Sequence, residues 1–518
     1  VFQHVHGPPS AQVNMSQCDR IELCPERLAA DFGSRSTVAR QAVAALYDSL
    51  GPLGATGCSS QGVRELRVAC SRKREHVSQQ RNMATQARPC HPSDAKLAAL
   101  GRRFGLAEKR PSPDRLRLAL ETYYQAIVRL VVDRALGGID VLGTPDILDA
   151  IGCLRASTGD CPDFRAAKMG LCPSESTWLA LAREQLAGYD TTVSPDRPPP
   201  AVDLFGPLYQ DLFPRSFRHA LGEYYTPDWL AEHVLDTVGY LGDPKGTVPG
   251  TGRLLDPTCG SGVFLLAAIR RIRAAAGSDV LPVQLGQRIL ENVAGYDVNP
   301  LAVLTARANY LLAVRDLLSD DLPPPAPPVD LRDAILDPSE PDEPFDYVVG
   351  NPPWVAWDNL PDDYRARTKS LWQHYGLFSL TATQARHGGG KKDLSMLVLY
   401  RAADRYLRRG GRLGFVITQT LFQTKGAGDG FRRFQLGEQG EPLGVLRVDD
   451  LARLQPFAGA SNWTATIALE KGRRTTYPVY YIEWRDCQTK GATAGLSSSA
   501  GNTAGQASSG TQGFIHVL

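Results

Sequence analysis

No two of the ten cysteines, at positions 18, 24, 58, 70, 90, 153, 161, 172, 259 and 487, form a Cys-x-x-Cys pair. That absence removes the spacing typical of zinc and dithiol redox sites, so structural thiols in a reducing compartment are expected. Cys153, Cys161 and Cys172 lie near one another without a paired spacing, and no metal is expected there. No apolar run approaches the roughly 20 residues of a membrane helix. The first residues lack the basic start and apolar stretch of a secretory signal, so a cytoplasmic chain without membrane contact is expected. An excess of one charge sign is missing too: 57 basic residues face 55 acidic ones, a formal net charge of +2. The overall balance does not call for nucleic acid, and any case for it must rest on local features.

What the chain does have is length and apolar content. With 518 residues, 43% of them hydrophobic, it can bury at least one large core, and its length suggests about two to four units. Residues 1–110 mix Gly, Ser, Arg and Cys with little periodicity and are expected to form a poorly defined N-terminal region that includes sequence outside the natural domain. Apolar residues at helical spacing in RLRLALETYYQAIVRLVVDRAL, and again near 176–188, predict a mainly helical domain over 111–193. The proline-rich SPDRPPPAVD at 194–203 has the composition of a linker. Within 204–485, β-type runs (RLLD, VAGYD, FDYVVG, RLGFVIT, LGVLRVDD, TATIALE) alternate with helical patterns such as VFLLAAIRRIRAA and LSMLVLYRAADRYLRR. Such alternation predicts a doubly wound, mostly parallel α/β sheet. The Gly/Ser/Thr/Ala-rich text over 486–518 is expected to be a flexible tail.

The segment RLLDPTCGSGVFLLAAI joins a strand ending at Asp256 to a helix through a turn containing Pro257, Gly260 and Gly262. Glycines there let a backbone approach a ligand at the carboxyl edge of the sheet. The dinucleotide fingerprint is incomplete, because Phe264 and Leu265 stand where its third glycine could fall. A phosphate-binding loop fits no better, since no Gly-Lys-Ser/Thr follows. The next predicted strand ends in GYDVNP, which places Asp297 where an acidic side chain can accept from ribose hydroxyls. Its offset exceeds the roughly 20 residues usual for NAD sites, which disfavours that cofactor.

FDYVVGNPPWV is the sharpest feature. An apolar strand ends in Asn351-Pro352-Pro353-Trp354, and two prolines force the chain out of the sheet at its ligand-binding edge. The Asn351 side-chain oxygen and the Pro352 carbonyl can each accept one N–H of a planar exocyclic amine such as that of adenine, with Trp354 available to stack on the base.

In order along the chain, GEYYTPDWL, DPTCGSGVFL, GYDVNP, RDAILDP and VVGNPPWV resemble the motifs of N6-adenine DNA methyltransferases, gamma-type enzymes of restriction-modification or phage-defence systems. KKDLSMLVLYRAADRYLRRGGRLGFVITQTLF, GAGDGFRRF and NWTATIALEKG continue the likeness, which covers about half the chain. The resemblance implies a seven-stranded methyltransferase sheet with an antiparallel closing hairpin, preceded by the helical domain. It also implies S-adenosyl-L-methionine as cofactor and methyl transfer to the N6 amine of adenine in double-stranded DNA. Carried over residue by residue, it assigns Tyr225, Thr226 and Pro227 to the methionine end of the cofactor site. Asp256, Pro257, Gly260 and Gly262 would surround the cofactor's amino-acid portion, Asp297 would hold its ribose and Asp333 its adenine amine. Asn351, Pro352, Pro353 and Trp354 match the catalytic tetrapeptide.

An adenine inside a duplex must be extruded to reach such a site. Candidates for holding the DNA are Trp357, Arg365, Arg367, Lys369, Lys391, Lys392, Arg432 and Arg433, and each by itself is equally at home on a solvated helix face. GGGKK has the composition of a mobile loop. PDFRAAK lacks the second carboxylate of a nuclease motif, so cleavage is not expected. No target-recognition domain follows the methyltransferase segment, so either a separate specificity or nuclease subunit is expected, or the chain is a fragment. Asn-Pro-Pro-aromatic tetrapeptides also occur in protein-glutamine and RNA amino-methyltransferases. Those acceptors, and a non-catalytic DNA-binding subunit of a defence complex, remain open here.

Overall fold

The computed structural model describes residues 21–49, 94–108, 111–136, 177–193, 198–213, 225–240, 252–277, 279–318, 325–337, 339–377, 392–422, 430–457, 462–486 and 511–517. Cys153, Cys161, Cys172, PDFRAAK and Lys391 lie outside them. No helix among the described residues is long and apolar enough to cross a membrane.

The N-terminal unit contains β1 (Ile21–Glu22), α1 (Pro25–Phe32), α2 (Thr37–Ser49), α3 (Asp94–Arg103), α4 (Pro113–Leu136), α5 (Thr177–Ala187), β2 (Tyr189–Asp190) and α6 (Gly206–Leu212), with β1 and β2 paired in parallel. In α4, Leu116, Leu120, Tyr123, Ile127 and Val131 follow the helical repeat and are buried. Tyr123 meets Trp178 edge to face with ring centroids 5.9 Å apart, and its hydroxyl donates to the Phe32 carbonyl at 2.8 Å. The ring therefore adds apolar burial without leaving its polar end unpaired. Two departures from the expected boundaries follow. Leu28, Phe32, Val43 and Tyr47, from the stretch expected to be poorly defined, belong to this core, as do Leu204–Phe213 residues from beyond the proline-rich linker.

The strands of the second unit are β3 (Leu254–Asp256), β4 (Val293–Asp297), β5 (Val329–Leu331), β6 (Phe345–Gly350), β7 (Leu407–Thr418), β8 (Leu443–Asp450), β9 (Thr464–Lys471), β10 (Tyr480–Asp486) and β11 (Thr511–Val517). They form one sheet in the order β11-β10-β8-β9-β7-β6-β3-β4-β5. Strands β5-β4-β3-β6-β7 are mutually parallel, and β9 runs antiparallel between β7 and β8. Those seven strands are the expected sheet with its closing hairpin. The sheet then extends past β8 by β10, which is parallel to it, and by β11, antiparallel to β10. The segment expected to be a flexible tail thus contains a paired strand.

One face carries α7 (Asp228–Val238), α8 (Val263–Ala275), α9 (Pro282–Asn292) and α10 (Pro300–Val314); the other carries α11 (Asp362–His374) and α12 (Leu394–Arg405). Helix α10 is apolar on nearly all sides because it serves two cores. Leu301, Leu304, Ala308 and Leu311 face the helical unit, while Val303, Ala306, Tyr310 and Val314 face the sheet. Asn299 caps it by accepting from the Leu301 N–H at 3.0 Å. Helix α12 ends earlier than its apolar pattern suggests. Gly410, at φ +74°, and Gly411 turn the LRRGG text into the start of β7, with a register shift opposite Phe345 and Tyr347.

Because β3, β4, β5 and β6 are parallel neighbours, Asp256, Asp297, Asp333 and Asn351 all emerge at one edge of the sheet. That edge, where chain connections diverge to opposite faces, is where doubly wound folds form ligand crevices.

Candidate active site

The turn after β3 is built for close approach. Gly260 and Gly262 hold φ +56° and +92°, values at which a side chain would be strained. A Cβ on Gly260 would meet no atom within 4 Å, so the turn faces open space. Asp256 is 1% exposed; its Oδ1 accepts from the Thr258 N–H at 3.0 Å, while its buried Oδ2 has no partner among the described residues. Burial, with a further push from the charge of Asp297, raises its carboxyl well above the usual range. A Cβ on Gly350 would lie 2.6 Å from Asp256 Oδ1, so glycine there lets β6 pass beside the carboxylate.

The neighbouring carboxylates order this edge. Asp297 accepts from the Gly260 N–H at 2.9 Å and from the Asn299 N–H at 2.8 Å. Asp333 accepts from the Ile335 and Leu336 N–H groups at 2.9 and 3.1 Å, and the Tyr364 hydroxyl lies 3.5 Å from it. Burial raises the carboxyls of both Asp297 and Asp333. On the far wall, the Asn351 Nδ2 donates to Thr226 Oγ1 at 3.2 Å, and the Asn351 Oδ1 is buried without a partner among the described residues. Tyr225, Thr226, Asp256, Pro257, Gly260, Asp297, Asp333, Asn351 and Pro353 line one cavity. The glycine turn and the tetrapeptide therefore share a single space.

Residues 201–493, more than half the chain, match the N-6 DNA Methylase family. The chain belongs to the N-6 DNA methylase family. It is 37% identical over 115 residues to the adenine-specific methyltransferase PglX of Streptomyces coelicolor, a match covering 21% of this chain and 9% of PglX. It is 30% identical over 174 residues to the MjaIX methylase subunit of Methanocaldococcus jannaschii, covering 32% and 26% of the two chains. With the type II methyltransferase M.VspI of a Vibrio species, identity is 25% over 265 residues and 51% of each chain. The matched parts thus amount to between 9% and 51% of these relatives' own lengths. Among solved structures, the fold resembles the DNA-bound Type ISP restriction-modification enzyme LlaBIII at TM-score 0.55 and 13% identity, covering 89% of this chain and 29% of that one.

The methylase site differs in places from its sequence outline. Pro227 is the N-cap of α7, and Gly262 the N-cap of α8. Trp354 is 8% exposed, edge to face with Phe457 at 5.2 Å, its indole nitrogen 3.5 Å from the Val416 carbonyl. Of the tetrapeptide, Asn351 and Pro353 line the cavity and Trp354 does not. Three residues expected on the DNA side make internal contacts: Arg365 pairs with Asp362, Arg432 donates to the Leu421 carbonyl at 2.9 Å, and Trp357 packs edge to face on Trp372. Arg367, Lys369 and Arg433 are exposed. Tyr209, Pro361 and Tyr364 line the cavity although nothing in their local sequence marks them. Part of the insert after the tetrapeptide, expected on the substrate side, thus closes over the Asp333 end.

The chain leaving the tetrapeptide is pinned to the start of α12. The Leu394 N–H donates to the Val355 carbonyl at 2.9 Å, and the Trp357 N–H to the Lys392 carbonyl at 2.7 Å. Between them Asp393 caps α12, accepting from the Ser395 N–H at 2.9 Å, and burial pushes its carboxyl up to about 6 from 3.8. The folded state therefore holds this proton more tightly than the unfolded one. Its contribution to stability is fully present below about pH 4 and is lost as pH rises through about 6. Asp393→Asn keeps the accepting oxygen and removes the buried charge. In urea unfolding it is expected to be more stable than the parent by up to roughly 3 kcal/mol at pH 7, with the gap closing below pH 4. A gap independent of pH would contradict this.

Proposed function

We propose that this chain transfers a methyl group from S-adenosyl-L-methionine to the N6 amine of adenine in double-stranded DNA. The observation that carries the reading is the unpartnered Asn351 Oδ1 in the same cavity as the glycine turn and its three carboxylates. The residues present fit that cofactor. Asp256 offers a buried carboxyl oxygen with no partner among the described residues, suited to an ammonium group, and Asp297 stands where ribose hydroxyls can donate to it. Asp333 can accept from the adenine amine of the cofactor, while Tyr225 and Thr226 line the methionine end. When bound, the sulfonium supplies an electrophilic methyl group.

The chain's own task is to shape the acceptor. An exocyclic adenine amine is a weak nucleophile because its lone pair is delocalised into the ring. Asn351 Oδ1 takes one N–H and the Pro352 carbonyl the other, which favours a tetrahedral nitrogen with its lone pair directed at the methyl group. The Asn351 Nδ2 donates to Thr226 Oγ1, which leaves the amide oxygen as the group offered to the amine.

Reaching the site requires base extrusion at a cost of a few kcal/mol, offset by backbone contacts. Exposed Arg367, Lys369 and Arg433 are the proposed phosphate contacts on the described surface. One relative is named the methylase subunit of a type I restriction enzyme and another a type II methyltransferase. A role in restriction-modification or phage defence, with a separate specificity or nuclease subunit as partner, is proposed on that basis. Methyl-labelled cofactor offered with unmethylated DNA, RNA and protein tests the acceptor. Label is expected in DNA, and label confined to RNA or protein would overturn the reading.

A further inference from the structure

Asp203 lies in the segment expected to be a linker, yet it ties three parts of the molecule together. Its Oδ1 accepts from the Phe205 and Gly206 N–H groups at 3.2 and 2.9 Å and from Asn309 Nδ2 of α10 at 2.8 Å. Its Oδ2 accepts from the Ser261 hydroxyl, inside the glycine turn, at 2.6 Å. Asn309 completes the knot: its Nδ2 also donates to the Ser261 carbonyl at 3.0 Å, and its Oδ1 accepts from the Leu204 N–H at 3.1 Å. Ser261 thus has both its hydroxyl and its carbonyl held from outside the turn.

The same junction brings the helical unit to the cavity wall. Tyr209 of α6 lines the cavity beside Tyr225, with ring centroids 6.0 Å apart. The Tyr124 hydroxyl of α4 lies 2.9 Å from Thr305 Oγ1, and Thr305 lines the cavity too. A Cβ on Gly206 would fall 2.4 Å from Asp203 Oδ2 and 2.7 Å from Tyr225 Cε1, so no larger residue fits at this crossing without displacing one of them.

We propose that Asp203 is a positioning residue for the cofactor site: through Ser261 it fixes the glycine turn in its binding shape and makes the helical unit part of that site. The two left-handed glycines that flank Ser261, Gly260 and Gly262, leave the turn many conformations, and the Asp203–Ser261 bond selects one before ligand arrives. The inference rests on the cofactor reading above.

The test is a double-mutant cycle on S-adenosylmethionine affinity, measured by calorimetry on the full chain, with melting of the free protein recorded in parallel. Asp203→Ala and Ser261→Ala are each expected to weaken binding about tenfold or more, with the double variant no weaker than the weaker single one. Asp203→Asn keeps an accepting oxygen toward Phe205, Gly206 and Asn309 and places an amide N–H where the Ser261 hydroxyl oxygen can accept it, so it is expected to stay within about threefold of the parent. Ser261→Ala removes only a hydroxyl, so it keeps the test decisive if Asp203→Ala fails to fold. A parent that binds while Ser261→Ala binds equally well, or strictly additive losses, would overturn the inference alone. A parent that does not bind would overturn the cofactor reading and this inference with it.

Discussion

Asn351→Ala is expected to lower methyl transfer about 100- to 1,000-fold while leaving the cofactor dissociation constant within about threefold of the parent. The magnitude is that of removing one preorganised hydrogen-bonding group aimed at a reacting centre. The split follows from location. The Asn351 Oδ1 has no partner among the described residues, so what it contributes is expected to arise when the amine arrives, and an interaction gained only there is lost from turnover rather than from cofactor binding. The Nδ2 bond to Thr226 at 3.2 Å is also lost, at a cost of about 1 kcal/mol in stability, too little to unfold the chain. Single-turnover rates with a methylatable duplex, together with calorimetry of cofactor binding, check both halves. Normal turnover in the variant would remove Asn351 from the chemistry.

Asp297→Ala is expected to do the reverse, weakening cofactor binding about 100-fold and leaving much of the turnover recoverable when cofactor is raised. Two losses combine. The proposed acceptor for the ribose hydroxyls goes, and so do the bonds from the Gly260 and Asn299 N–H groups that fix the turn and the entry to α10. Hydrogen bonds to an ionised group are worth about 1.5–3 kcal/mol each, so loss of those to a bound ligand reaches that fold-change readily. Calorimetry and the dependence of rate on cofactor concentration measure it. An unchanged dissociation constant would place the ribose elsewhere.

The parts of this site that were legible in the sequence are those marked by backbone chemistry. Two prolines after an apolar run had to end β6, and glycines between an apolar strand and an apolar helix had to form a turn, so Asn351 and the Asp256 loop could be placed at one edge from text alone. Strand β5 was hidden because it is only three residues long and follows a proline-rich run that masks its character. Helices α1 and α2 were missed because little periodicity is sustained around them, although Leu28, Phe32, Val43 and Tyr47 pack fully.

Asp203 could not be found by any local rule. Its partners Ser261 and Asn309 lie 58 and 106 residues away, and only the packing of α10 between two cores brings them together. The basic residues could not be sorted from the sequence, for the opposite reason. Charge at a position says nothing of whether a neighbour such as Asp362 or the Leu421 carbonyl already engages it. Trp354 illustrates the same limit, since an aromatic suited to stacking on a base is equally suited to packing on Phe457.

The most direct measurement is nucleoside analysis of an unmethylated duplex after incubation with S-adenosylmethionine and either the parent chain or Asn351→Ala. N6-methyl-2′-deoxyadenosine should accumulate with the parent and fall to background with the variant at equal cofactor occupancy. Methylation of another base by the parent, or equal N6-methyladenine from both proteins, would contradict the assignment of this cavity.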